Sequence, residues 1–328
     1  MQTRENALNK WIEKTLGHAS FTLTPLAGDA SFRRYFRLNH AQITQVIMDA
    51  PPEKESLASF IEVEAQLYHQ GIRTPRIRAV ERDLGFLLLD DLGDRLLLNE
   101  PLSPYYYSAL DTLHSLQKIP AAHRPAFNAA FMHQEMSLFQ TWFLQAYHDI
   151  ELNSREQKQL NQLLKALSSH LMEQPHCFIH RDYHSRNLML IEENNTTHIG
   201  VIDFQDAMQG PFTYDLVSLL KDCYIEWPNT TRAEWINYFF HRLSNTQGWS
   251  RDEFELGFDW CGLQRHLKVL GVFCRLHLRD KKSNYLRDLP LTLKYTCATL
   301  ERYDVFHSLL DIIQKHVVPI ITQDQCSS

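Results

Sequence analysis

No C-x-x-C pair occurs in the sequence. Cys177, Cys223, Cys261, Cys274, Cys297 and Cys326 stand far apart, which argues against a zinc site or disulfide framework and for thiols in a reducing compartment. No run approaches the roughly 18 apolar residues that a membrane span needs. Residues Met1 to Leu16 are too polar and too mixed in charge for a secretory signal. Internal repeats and low-complexity stretches are absent as well. Positive charge is not in excess: 33 Lys and Arg face 39 Asp and Glu, for a net charge of -6. A broad electrostatic footprint for nucleic acid is therefore missing. The expectation is a cytoplasmic protein with neither a nucleic-acid nor a membrane partner; its oligomeric state is left open.

What is present is ordinary globular material. The 328 residues are 44% hydrophobic and 22% charged, enough for a full core in two modest domains or one large one. Only the polar tail Thr322 to Ser328 is expected to fray. After a short helix around Leu8 to Leu16, strands are predicted over Phe21 to Leu26, Phe32 to Leu38 and Ile43 to Met48, with a tight turn at Gly28 to Ser31. Alternation in the second strand sets Arg33, Tyr35 and Arg37 against Arg34, Phe36 and Leu38. Helical spacing of Leu57, Phe60, Ile61, Ala65 and Tyr68, stopped by Gly71, puts Glu64 on the apolar stripe. An inward carboxylate asks for a basic partner. Phe86 to Leu89 is a further strand leading into Asp90-Asp91-Leu92-Gly93. Helices follow over Tyr105 to Ile119, Phe131 to His148 and Ser154 to Glu173. A hairpin around Asn194-Asn195 then interrupts them before helices resume at Tyr214. The layout is α+β: a small β-rich lobe over 1–92, then a larger, mostly helical lobe over 93–328. A cleft between two such lobes is a natural place for a ligand.

The chemistry concentrates in His180-Arg181-Asp182-Tyr183-His184-Ser185-Arg186-Asn187 and in Val201-Ile202-Asp203-Phe204. Phosphoryl transfer needs metal on the phosphates, a carboxylate to position the attacking hydroxyl, and exclusion of water. Asp182 suits the hydroxyl, while Asn187 and Asp203 offer hard oxygens to Mg2+. Arg186, inside the same loop, can neutralise charge on the transferring phosphate. The plain structural alternative is that His180 and Asp182 fix a turn and Asp203 caps a strand. The full H-x-D-x-x-x-x-N, hairpin, aspartate arrangement is far more specific than a lone H-R-D.

These segments resemble the catalytic and metal loops of the aminoglycoside phosphotransferase and choline kinase-like family, relatives of protein kinases. The resemblance covers most of the chain. It implies a protein-kinase-like two-lobe fold and the use of ATP with Mg2+. Gly28, Asp29, Ala30 and Ser31 resemble the phosphate-covering loop, and Glu64 the inward glutamate of the third helix. The strand running to Asp90, with Leu92 beyond it, resembles the hinge that holds adenine. Asp215 resembles the buried aspartate that braces the catalytic loop beside His180; its alternative is a carboxylate favoured by a helix N-terminus. The strings Gly28 to Arg37, Met48 to Glu53, His180 to Met189 and Gly262 to Lys268 most resemble bacterial anomeric sugar kinases. Those act on the C1 hydroxyl of N-acetylmuramate and N-acetylglucosamine in cell-wall recycling, which implies an amino-sugar substrate here.

One departure stands out. The third strand, Val46-Ile47-Met48-Asp49, lacks the lysine that kinases of this superfamily pair with the helix glutamate and the ATP phosphates. Arg33, Arg34 or Arg37 is the candidate replacement and the candidate partner of Glu64; otherwise they are solvated strand residues. From Cys261 to Lys294 eight Lys or Arg face two Asp. That excess suits a neutral or anionic sugar better than a polycationic acceptor. Arg265, His266 and Lys268 are the candidate substrate residues, with a solvated helix face as the alternative for most of the eight. The rival functions are a kinase for choline, an amino alcohol or an aminoglycoside, and a non-catalytic nucleotide-binding regulator. A protein kinase ranks lower, since no A-P-E sequence follows Asp203.

Overall fold

The computed structural model describes residues 2–26, 32–243 and 248–320. The turn expected at Gly28 to Ser31, the tail from Thr322 and Cys326 lie outside the described residues. Two compact units form, one of residues 1–112 with 186–206, the other of 113–185 with 207–328. Among the described residues no helix is long and apolar enough to cross a membrane, and the five cysteines are free thiols.

The first unit is built on an antiparallel sheet in the order β1-β2-β3-β5-β4. Its strands are β1 (Thr22–Leu26), β2 (Arg34–His40), β3 (Ile43–Asp49), β4 (Ile77–Glu81) and β5 (Phe86–Asp90). Helix α1 (Gln2–Leu16) covers one face, packing Leu8, Trp11 and Ile12 against Leu38, Ile47, Phe86 and Leu88. Register puts Tyr35 opposite Met48 and Met48 opposite Leu87. Directly opposed residues share a face, so these three lie on the side away from α1. Helix α2 (Leu57–His69) starts at Ser56, whose side chain accepts from the Ala58 amide, and buries Leu57, Phe60, Val63, Glu64 and Leu67. Helix α3 (Ser103–Leu116) contains the boundary between the units.

A hairpin inserted late in the chain completes this unit. Strands β7 (Leu188–Glu193) and β8 (Thr196–Val201) meet at Asn194-Asn195, both left-handed with φ of 52° and 61°. Asparagine tolerates that conformation, and two such residues suit the right-handed twist of a hairpin. Main-chain bonds from Leu97 to Leu188, from Leu190 to Arg95 and from Val201 to Arg73, each 2.8 Å, fasten it to the sheet-bearing unit.

The second unit is mostly helical. It contains α4 (Ala129–Leu138), a π-helical turn over Phe139–Tyr147, α5 (Ser154–Leu171), α6 (Tyr214–Leu220), α7 (Asn229–Arg242), α8 (Arg251–Leu278), α9 (Leu289–Arg302) and α10 (His307–Ile312). Strand β6 (His176–Ile179) pairs antiparallel with β9 (Met208–Pro211). Helix α8, the longest, begins with a reciprocal cap between Ser250 and Glu253. It is buried along most of its length because α4, α5, α6 and α9 surround it. A Cβ on Gly271 would lie 2.3 Å from the Leu138 carbonyl, so this glycine permits α8 and α4 to approach. The β-rich unit and the helical unit are the α+β architecture expected. The periodic segment from Phe131 to His148 is not one regular helix: its i, i+4 bonding changes at Phe139.

Candidate active site

The loop after β6 is shaped by carboxylates beneath it. Asp215, on the first turn of α6 and fully buried, accepts from the backbone amides of His180 (2.6 Å) and Arg181 (3.0 Å). Asp222, just past α6, accepts from the Ser185 amide (2.9 Å) and the Tyr224 amide (3.0 Å). Asp222 carries no motif spacing of its own and was not legible in the sequence. Between these anchors Arg181 adopts φ of 77°, a strained conformation for a non-glycine residue, costing on the order of 1–3 kcal/mol unless its surroundings over-determine it. They do. Its amide is held by Asp215, its carbonyl accepts from Arg265 Nη1 at 2.7 Å, and its guanidinium bonds Glu135 at 2.8 Å.

Asp182 follows this strained residue. Its side chain keeps 37% of its surface exposed, so a ligand can reach it. Its amide lies 3.3 Å from His180 Nδ1. Burial alone would raise the carboxyl, but Lys268, Arg265, His184 and Arg181 outweigh it and hold the group well below the usual carboxylate range. Asp215 goes the other way: burial pushes it up to about 6, against the pull of His180 and the two amides. Glu135 opposes the cations. Burial raises it, yet Lys268 and Arg181 bring it below its ordinary value, and it receives Gln264 (3.2 Å) and lies 3.6 Å from Lys268.

The expected substrate residues therefore divide. Arg265, 3% exposed, supports Asp182 and the Arg181 carbonyl from inside; its Nη2 is 3.5 Å from the carboxylate. Lys268 bridges the fields of Glu135 and Asp182. His266 is a correction: it has no exposed surface, bonds the Lys221 carbonyl at 3.0 Å and stacks on Tyr295. Burial depresses its basicity, to a pKa of about 3; it is a core residue because α8 turns that face toward α9. Half of the remaining basic residues meet carboxylates at the surface, Arg279 with Asp280, Arg287 with Asp288 and Lys294 with Glu226.

Asn187 and Asp203 gather in the β-rich unit, at the open ends of β7 and β8. The chain reaches Asn187 from Asp182 through Ser185 and the half-buried Arg186, in a single 3-10 turn. Asn187 Nδ2 lies 3.5 Å from Asp203 Oδ2, and Gln205 Nε2 donates to Asp203 Oδ1 at 2.9 Å. The Ile202 amide donates to the Asn187 carbonyl at 3.1 Å, locking the two strand ends. Asp203 is itself left-handed, with φ of 61°. Among the described residues no three His, Cys, Asp or Glu converge as a metal cage. One carboxylate and one amide oxygen fit Mg2+, which keeps waters and takes substrate phosphates instead of an all-protein shell.

Glu64 is buried as expected, but its partner is not Arg33, Arg34 or Arg37. It pairs with Arg76 at 3.2 Å and accepts from Thr74 at 3.3 Å; Arg76 in turn lies over the Tyr68 ring. Burial still leaves the Glu64 carboxyl raised. The three arginines have other partners: Arg33 binds Glu55 at 3.0 Å, Arg34 binds Asp49, and Arg37 binds Asp91 and Asp94. Asp49 is wholly buried and also takes Arg4 of α1, which makes it a tie between helix and sheet. At the expected hinge, Asp90 is engaged by Arg78 at 2.6 and 2.7 Å. Leu92 is half-buried, its Cδ1 beside Gly200 of the hairpin.

A β-rich unit followed by a largely helical one, with the loop 180–187 joining them, defines a kinase-like phosphotransferase fold. Choline kinase from Streptococcus pneumoniae shares it, with a TM-score of 0.65 at 10% identity over 90% of this chain and 99% of that one. The chain belongs to the Phosphotransferase enzyme family, whose model matches residues 22–254. It is 38% identical over 286 residues to an N-acetylmuramate/N-acetylglucosamine kinase of Pseudomonas aeruginosa, covering 83% of this chain and 82% of the relative. A kinase of the same description from Neisseria meningitidis serogroup B is 35% identical over 314 residues, 92% of each chain.

Proposed function

We propose that this enzyme transfers the γ-phosphoryl group of ATP to the anomeric hydroxyl of N-acetylmuramate, N-acetylglucosamine or both, in the cytoplasm and in the service of cell-wall recycling. The observation that carries the substrate is the 35–38% identity, across most of both chains, to kinases described as acting on these two sugars. The chemistry is supported by Asp182, an accessible carboxylate kept ionised by the cations around it.

Asp182 accepts a hydrogen bond from the sugar hydroxyl and aims its oxygen at the γ-phosphorus. As that oxygen–phosphorus bond forms, the bond to the ADP oxygen breaks, and the hydroxyl proton passes to Asp182. A carboxylate so strongly acidic takes the proton late, which suits a loose phosphoryl transition state. The anomeric hydroxyl eases the step, because the ring oxygen withdraws charge and makes it more acidic than an ordinary sugar alcohol. Asn187 and Asp203 would hold Mg2+, which when bound neutralises phosphate charge. Arg186 meets the transferring group from the loop, and Arg265 with Lys268 fixes the charge and position of Asp182. Residues 1–92 are assigned to the nucleotide, with backbone amides of Gly28 to Ser31 over the phosphates and the Asp90 to Leu92 stretch beside adenine. Residues 93–328 carry the acceptor.

An ADP-release assay against both amino sugars, choline and aminoglycosides tests this, with phosphorus NMR of the product. The expected result is turnover of an N-acetylated amino sugar to its 1-phosphate. Turnover of choline alone, or phosphate on another hydroxyl, would reverse the substrate assignment; nucleotide binding with no turnover would favour a regulator.

A further inference from the structure

The sheet register separates the arginines that could stand in for the missing strand lysine. Arg34 shares its face with Phe36 and Leu38, the side packed by α1, and it is committed to the buried Asp49. Arg33 and Tyr35 alternate onto the opposite face, where Tyr35 lies across from Met48. Met48 is thus the third-strand residue nearest Tyr35 on that side, fully buried and uncharged. On the same side Arg33 is only 10% exposed and pairs with Glu55, 18% exposed, at 3.0 Å. The Tyr35 hydroxyl feels the charges of both Arg33 and Asp203, the first stabilising its ionised form and the second opposing it. Tyr35 thus shares a face with the Arg33–Glu55 pair and feels the charge of the proposed metal-holding aspartate. Phe60 of α2 against Phe204, centroids 4.8 Å apart, places the start of that helix beside the Asp203 segment. Glu64 does not compete for the role, being occupied by Arg76 one turn further along α2.

We propose that Arg33, held by Glu55, is the cation that engages the nucleotide phosphates in place of the third-strand lysine, with Tyr35 as a positioning residue between this pair and Asp203. The inference rests on the kinase function proposed above. A guanidinium suits the position because its fork offers five donors, more than one carboxylate can take, so phosphate and carboxylate can be held at once. The lysine–glutamate pair of related kinases spans strand three and a helix; here the same two charges come from the end of the phosphate-covering loop and the residue before the α2 cap.

The test is direct binding, by titration calorimetry, of a non-hydrolysable MgATP analogue and, separately, of adenosine, to the full chain. Arg33→Met should weaken the analogue at least about tenfold and leave adenosine unchanged; Arg33→Lys should recover part of the loss. Glu55→Gln should weaken the analogue by itself and add nothing in the Arg33→Met background, the non-additivity expected of one functional pair. Tyr35→Phe should weaken the analogue only when Mg2+ is present. Unchanged analogue affinity in Arg33→Met, or an equal loss of analogue and adenosine, would overturn the inference. Wild-type protein that binds the analogue but phosphorylates no sugar would sink the substrate assignment alone. Wild-type protein that binds no nucleotide would sink both.

Discussion

Asp182, within the loop 180–187, and Asp215, which accepts that loop's amides from α6, are carboxylates whose surroundings push them in opposite directions. Cations hold Asp182 ionised well into acid, so its titration does not set the acid side of activity. Asp215 is the group expected to do so, because burial pushes its pKa up to about 6. Above that pH its carboxylate accepts both loop amides; below it, the protonated group presents a hydroxyl to the same donors and the loop loses its brace. The wild-type rate is therefore expected to fall below about pH 6, and Asp215→Asn to abolish this limb while lowering kcat at least about tenfold, since an amide accepts through one atom only. A pH profile of kcat/KM from 5 to 8.5 checks it; a limb that survives in Asp215→Asn excludes the assignment. Stability carries the opposite sign. The Asp215 pKa is raised above its ordinary 3.8, so the stabilisation from its neutral form is complete below that value and is lost as pH climbs through about 6. Asp182→Asn, by contrast, should cost about 10²- to 10⁴-fold in kcat with the KM for ATP little changed, the range for removing a positioned proton acceptor. Near-normal turnover would remove Asp182 from the mechanism.

Helix α8 shows how an element can support a loop to which it does not itself belong. Its Gln264, Arg265 and Lys268 reach Glu135, the Arg181 carbonyl and Asp182 because Gly271, one to two turns on, lets the helix lie against the Leu138 backbone. Gly271→Ala would force the helices apart. The expected loss is about 1–3 kcal/mol of stability, typical of overpacking, together with a drop in kcat as Lys268 and Arg265 withdraw from the loop. Thermal unfolding and steady-state kinetics on the same variant check both; a lowered midpoint with unchanged kcat would show that the site tolerates the shift. The element scale also marks where the sequence was readable. Strands β1, β2, β3 and β5, helix α2 and the Asn194-Asn195 hairpin follow from alternation, helical spacing and turn chemistry, all local signals, whereas β4 was not read. Strand β9, Met-Gln-Gly-Pro, has no β pattern, and its pairing with β6 exists only through a partner about 30 residues away in the chain. The partner of Glu64 was misplaced for the same reason. Burial of a carboxylate can be read from periodicity, but which of several arginines meets it depends on strand register, and Arg76 precedes a strand that lies at the sheet edge. Glu55, Asp222 and Glu135 carry no motif; only contacts made at long range reveal them.

Across the whole molecule, the chain passes between its two units three times, within α3, after Ser185 and after Asp206. The second and third crossings bracket the hairpin that carries Asn187 and Asp203, so this segment of the β-rich unit is tethered at both ends to the helical one. Unfolding the β-rich unit would cost the hairpin its bonds to Arg73, Arg95 and Leu97, whereas unfolding the helical unit would release the chain at both ends of the hairpin. Interleaved connectivity of this kind favours a single cooperative transition over two independent ones. A ligand that binds only the native state stabilises by RT ln(1 + [L]/Kd), about 2.7 kcal/mol at a hundredfold excess over Kd. MgADP, assigned to residues of the β-rich unit, is therefore expected to raise the one transition of the entire chain by several degrees, with no unshifted component left behind. Differential scanning calorimetry with and without MgADP decides the matter. Two resolved transitions, of which only one moves with nucleotide, would show that the crossings do not couple the units.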